Sequence, residues 1–146
     1  MTVLNKEYKS QYSIEQLYNM VVDIERYPEF IPWCSSAKII DEAETIIIAD
    51  LFITFKSFTE SYRSQVTLSP PQDGLAKIDV KMISGPFKHM DNAWTFESTE
   101  SGTVVKFYID FKFKSFLLEK LIGVFFTSAC EKMIDAFEAR AKHLYE

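Results

Sequence analysis

Between residues 46 and 113 the chain places an apolar side chain at nearly every second position, stretch after stretch, and that alternation limits the fold more than anything else in it. Ile47, Ala49, Leu51, Ile53 and Phe55 share one phase. Phe58, Glu60, Tyr62, Ser64, Val66 and Leu68 share the next, and Ala76, Ile78, Val80 and Met82 alternate with Lys77, Asp79 and Lys81. Met90, Asn92, Trp94 and Phe96 follow, and Val105, Phe107, Ile109, Phe111 and Phe113 close the series. A period of two puts each set on one face of a strand. Long strands with short connections predict an antiparallel meander with one apolar face. Ser35 to Asp41 supplies one more strand, which makes six.

The rest of the chain must cover that face. Val3 to Tyr12 reads as a strand, and Ser13 with Gln16 forms the signature of a capping box. A helix follows, with Ile14, Leu17, Tyr18, Val21 and Ile24 at helical spacing. The stretch RYPEFIPWC (26 to 34) is no ordinary helix or strand, because Pro28 and Pro32 remove donors and push the residues before them toward extended geometry. A short second helix fits around Pro28 to Ile31. From Ser115 to about Tyr145 one long helix is predicted, with Leu118, Ile122, Phe125, Ala129, Met133, Ala136 and Phe137 as its apolar stripe. At ~1.5 Å per residue it would run about 45 Å, enough to lie across a curved sheet. The expected architecture is α+β, in the order β-α-α-β6-α, over a single domain, 1–146.

Composition narrows the function classes. A hydrophobic fraction of 47% with 13 Phe excludes disorder, and a net charge of −5 argues against a general nucleic-acid binder, so no DNA partner is expected. Two cysteines without motif spacing suit a reducing compartment. The start, MTVLNKEYKS, lacks an apolar signal core, and no run approaches the roughly 20 apolar residues of a membrane span. The expected location is the cytoplasm, with peripheral contact at the inner face of the membrane.

The connections of the meander are unequal. One end carries DEAE (41 to 44), SPPQDG (69 to 74) and STESG (98 to 102), all polar. The other carries KSF (56 to 58), SGPFK (84 to 88), KSFLL (114 to 118) and the tail of RYPEFIPWC. Trp33, Phe58, Phe87 and Phe116 would gather there, with Lys56, Lys88, Lys114 and Lys120 around them. Two readings stand: the aromatics plug the end of the core, or they form an open mouth that approaches an anionic membrane. Glu60, Ser64 and Asn92 sit at inward-phased positions among apolar neighbours. They form either a local hydrogen-bond network or the polar part of a ligand cavity between sheet and helix, where Gly123 and TSAC (127 to 130) leave room.

Catalytic signatures are missing. His89 and His143 have no ligand partners at metal spacing, and there is no phosphate-binding glycine loop or nucleophile elbow. Asp23, Glu25 and Glu29 read as a solvated face with Arg26 and Lys38. No catalytic residue, metal or cofactor is expected, and the chain is not expected to be an enzyme.

YPEFIPWC, SYRSQV (61 to 66), GPFKHMDNAWTF (85 to 96), FYIDFKFKSFLL (107 to 118) and AFEARAKHLY (136 to 145) together resemble the coenzyme-Q-binding and ribosome-association-toxin family over essentially the whole chain. The resemblance implies the helix-grip fold of START-related lipid-binding domains. It also implies one of two functions. The first is binding a polyisoprenoid quinone, with ubiquinone as ligand, in support of respiration or quinone synthesis. The second is binding the large ribosomal subunit and blocking subunit association. A polyketide cyclase label rests on fold likeness alone and is the weakest transfer. For the quinone reading, Tyr27, Phe30, Trp33 and Phe87 are expected at the mouth, with Lys56, Lys88 and Lys114 facing the membrane. Walls are expected from Phe55, Tyr62, Val80, Trp94, Phe107, Phe125 and Met133, with Glu60 and Asn92 near the polar head.

Overall fold

The computed structural model describes residues 2–55 and 58–146. Its seven strands are β1 (Thr2–Ser10), β2 (Cys34–Glu42), β3 (Ile46–Phe55), β4 (Phe58–Gln72), β5 (Leu75–Ser84), β6 (Phe87–Thr99) and β7 (Gly102–Phe113). They form one antiparallel sheet in the order β1-β7-β6-β5-β4-β3-β2. The meander is therefore as the alternation demands, and the N-terminal strand extends it beside β7, with Thr2 opposite Phe111 and Ser10 opposite Thr103. Register breaks at Cys34/Ser36, Ile39/Asp41, Arg63/Ser64, Ser69/Gln72 and Phe87/His89 interrupt the ladders, and such bulges bend and twist a sheet.

Helix α1 (Ile14–Val22) starts as the sequence says: Ser13 Oγ accepts from the Gln16 amide and Gln16 Oε1 accepts from the Ser13 amide. It buries Ile14, Leu17, Tyr18, Met20 and Val21 against the sheet. The second helix lies earlier than the prolines suggest, as a 3-10 helix over Ile24–Glu29 with Pro28 inside it. Tyr27 anchors it by donating its hydroxyl proton to the Val21 carbonyl.

The C-terminal helix is not uniform. A turn of α2 (Phe116–Leu118) leads into a π-helical segment, Glu119–Gly123, then α3 (Val124–Glu131) and, past a break at Lys132, α4 (Met133–Tyr145). Its buried stripe runs Ile122, Phe126, Cys130, Met133, Ile134, Phe137 and Ala141. The expected stripe through Phe125 and Ala129 is one residue off. After Ile122 the helix steps by four where the sequence pattern allowed three, because both 125 and 126 are Phe.

Candidate functional site: a chamber between sheet and helix

Between the concave sheet and the C-terminal helix lies a cavity of about 60 Å³. Strands β3 to β7 supply its floor through Leu51, Tyr62, Ser64, Ile78, Met90 and Ile109, and the helix roofs it with Phe126, Cys130, Met133 and Phe137. Of the thirteen ligand residues expected from the sequence, nine line it. Tyr62, Val80, Asn92, Trp94 and Phe107 come from the sheet, Phe87 from the start of β6, Tyr27 and Trp33 from the RYPEFIPWC segment, and Met133 from α4.

The other four do not. Phe30 packs on Phe137, with ring centroids 5.1 Å apart, and carries the Arg140 guanidinium 5.0 Å above its ring. Phe55 stacks on Phe125 at 4.0 Å and 15°. Phe125 itself faces an outer groove of about 230 Å³ with Ile31, Pro32, Ser128, Ala129, Lys132 and Ala136. Glu60 has the inward phase but lies two residues along β4 from Tyr62 and outside the lining; phase sets a side chain's face, not how far along the strand a cavity extends. Trp33 and Met133 line both the chamber and the groove, so they form the partition between the two.

The aromatic loop residues also differ from the expectation of an open mouth. Trp33 is 4% exposed and Phe87 is 0% exposed. Phe87 packs on Tyr62, Phe111, Phe113 and Phe126, and Trp33 on Phe126 at 5.8 Å. The approach of β4 that makes this possible depends on Gly85 (φ 153°), where a Cβ would sit 2.4 Å from Tyr62 Cβ. Among the described residues, the exposed apolar side chains at this end include Phe116, Leu117, Leu121 and Val124, and Lys88, Lys114 and Lys120 are exposed as well. Lys56 lies outside the described residues, as does the side chain of Phe58.

The chamber's few polar groups are unequally satisfied. Trp33 Nε1 is buried and has no hydrogen-bond acceptor among the described residues. Tyr62, 8% exposed, brings a hydroxyl to the chamber lining. Burial pushes its pKa well above the usual phenol value, so it stays a donor at neutral pH. Ser64 Oγ reaches only a long 3.5 Å bond to the Ala49 carbonyl, and Asn92 Nδ2 donates to the Tyr108 carbonyl at 2.7 Å. Cys130, in the roof, is pushed up to about 12 by burial, and Cys34 nearby to about 11. Sequence phase points to Asn92 and Ser64, and the RYPEFIPWC segment and TSAC point to Trp33 and Cys130, but nothing in the sequence marks the Trp33 N–H as the unpaired donor. Outside the chamber, His89 Nε2 and Asp110 are 3.1 Å apart, and no cluster of metal-ligating side chains occurs among the described residues.

The carboxylates around RYPEFIPWC are structural. Arg26 pairs with Asp23 and Glu29, and Glu29 also accepts from Arg140 at 2.8 Å, while Glu25 caps the Ile39 amide. They fasten the segment to α4 and β2, so the wall that carries Trp33 is held from both sides.

Residues 10–138 match the model of the family described as polyketide cyclase / dehydrase and lipid transport. The ribosome association toxin RatA of Rickettsia prowazekii is 44% identical over 133 residues, 91% of each chain. The mitochondrial coenzyme Q-binding protein COQ10 homolog B of Xenopus laevis is 32% identical over 139 residues, which are 92% of this chain and 55% of that one. Among solved structures, a STAR-related lipid transfer protein from Xanthomonas axonopodis superposes with a TM-score of 0.77 over 96% of this chain and 85% of its own, at 11% identity, a likeness of fold alone. The sheet wrapped around its last helix is thus the START-like helix-grip fold, and the chain belongs to the polyketide cyclase / dehydrase and lipid transport family, on the branch of the ribosome association toxins and coenzyme-Q-binding proteins.

Proposed function

We propose that the protein binds a polyisoprenoid quinone, with the carbonyl-bearing ring in the chamber and the tail along the outer groove. One observation carries the reading. Trp33 Nε1 is a buried donor without an acceptor among the described residues, inside a chamber walled mostly by apolar side chains. Leaving such a donor unpaired costs on the order of 1–3 kcal/mol, a penalty that a ligand carbonyl would relieve. Tyr62, in the floor of the chamber, offers a second donor. A neutral, largely apolar molecule with carbonyl acceptors matches this set, whereas an anion would find no positive charge among the lining residues. At about 60 Å³ the closed chamber holds only a few waters. A prenylated ring therefore enters by parting Trp33 from Met133, which merges chamber and groove. The role that follows is that of a carrier or chaperone for quinone, supporting respiration or quinone synthesis.

The test is gentle purification from a quinone-containing host, solvent extraction and mass spectrometry. Near-stoichiometric quinone, reduced in Trp33→Phe, is the expected result. Protein that emerges empty and takes up no added quinone would sink the reading. A second reading, binding to the large ribosomal subunit, is favoured by the name of the 44% identical relative. Co-sedimentation of the empty protein with large subunits would then decide for it.

A further inference from the structure

The segment that opens the C-terminal helix is apolar on two opposite sides. Ile122 and Phe126 turn inward, and Phe126 lines the chamber. On the other side Phe116 is 82% exposed and Val124 is 83% exposed, with Leu117 and Leu121 also exposed. Phe116, Lys120 and Val124 recur every four residues and Leu117 and Leu121 do the same one position on, all of them exposed, so they form one outer face. Among the described residues none covers it. Isolated exposed apolar side chains are ordinary, but four within nine residues of one helix are not.

Charge identifies what could cover it. Lys120 lies on that face, Lys114 just before it, and Lys88 at the start of the neighbouring strand, where the Lys114 amide donates to the Pro86 carbonyl at 2.8 Å. All three are exposed, and Glu119 is the one carboxylate in the segment. The chain as a whole carries −5, so this positive apolar spot is local. Aliphatic tips with lysines beside them suit an interface of acyl chains beneath anionic headgroups. Single-stranded RNA is usually held on aromatic stacking platforms, and only Phe116 here could stack. The segment also contains the π-helical turn Glu119–Gly123, a geometry that is rare and clusters at functional positions.

We propose that Phe116, Leu117, Leu121 and Val124 form an insertion face that seats this end of the protein on an anionic lipid bilayer, with Lys88, Lys114 and Lys120 at the headgroups. The face lies beside the end of the sheet where Trp33, Phe87 and Phe126 close the chamber. Its purpose rests on the quinone reading, but the contact itself does not.

The experiment is flotation with quinone-free vesicles of phosphatidylcholine, with and without phosphatidylglycerol, so that failure of docking and failure of quinone binding are read separately. Wild-type protein should float with the phosphatidylglycerol vesicles at low salt and far less with phosphatidylcholine alone. The double variant Phe116→Ser, Val124→Ser should lose roughly tenfold or more in vesicle affinity while keeping its melting temperature, since both side chains are already in water. Lys114→Glu and Lys120→Glu should each lose about fivefold, an effect that salt erases in the wild type. Wild-type protein that floats with neither vesicle, or serine variants that float as well as wild type, would overturn the proposal. So would large-subunit co-sedimentation that the same variants abolish, because the face would then belong to the ribosome.

Discussion

Replacing Trp33 by Phe separates a functional donor from ordinary core. In the empty protein the indole N–H is a buried group with no acceptor among the described residues, and deleting it should return about 1–3 kcal/mol. The smaller ring leaves a void of roughly 40 Å³, which costs about 1 kcal/mol at ~24 cal/mol per Å³. The apolar surface lost with it costs about 1 kcal/mol more. The terms nearly cancel, so the variant should lie within about 1 kcal/mol of wild type by urea denaturation, whereas large-to-small changes in a core commonly cost 2–5 kcal/mol. Quinone affinity should fall by about five- to tenfold, the worth of one hydrogen bond of ~1–1.4 kcal/mol. Far-ultraviolet circular dichroism follows unfolding, and equilibrium dialysis against a short-chain quinone measures binding. A stability loss near 3 kcal/mol would show that the N–H is no burden in the empty protein. Unchanged quinone affinity would remove it from the site.

Phe87 should behave in the opposite way. Fully buried against four other rings, its replacement by Ala should cost about 3–5 kcal/mol of stability, and a loss under about 1 kcal/mol would contradict its place in the core. Cys130, held at about 12, and Cys34, at about 11, should react with a thiol reagent at pH 8 far more slowly in the folded protein than in urea, and equal rates would mean that the helix opens readily. The hydrogen bond from Arg140, helped by the charges of Arg140 and Arg26, holds the Glu29 carboxyl below its usual pKa. Its contribution to stability is therefore complete above the unfolded value of ~4.3 and is lost as pH falls through the lower folded value. Glu29→Gln should flatten the acid limb of the urea-midpoint profile, modestly and less so in salt because the carboxylate is exposed; an unchanged limb would show that the pair is not coupled to folding.

The alternation of residues 46 to 113 was enough to predict the sheet because every strand has one face toward the helix, so a register slip would turn polar residues inward. Ser13 and Gln16 marked the start of α1 because a capping box uses the same two side chains wherever it occurs. The 3-10 helix was misplaced for a local reason. Pro28 is compatible with a helix and biases only the residue before it, so it does not say how far upstream the helix begins. The π-helical turn left no mark at all, since an added residue in one turn changes which of two neighbouring phenylalanines is buried without changing composition.

The same ambiguity governs the site. Strand phase brought Tyr62, Val80, Asn92, Trp94 and Phe107 to one chamber, yet it gave no depth, and so Glu60 was included at the wrong level. For residues 116 to 126, Phe116, Leu117, Leu118, Leu121, Ile122, Val124, Phe125 and Phe126 are more apolar positions than one helical stripe can bury. Some had to face outward, and only packing could say which. Phe126 lies inside against Trp33 at 5.8 Å, and Val124 lies outside, both on α3. Because one rigid helix carries both, a shift of its outer face moves Phe126 and with it the wall it shares with Trp33. Contact on one side of α3 and access to the chamber on the other are thus two consequences of one displacement.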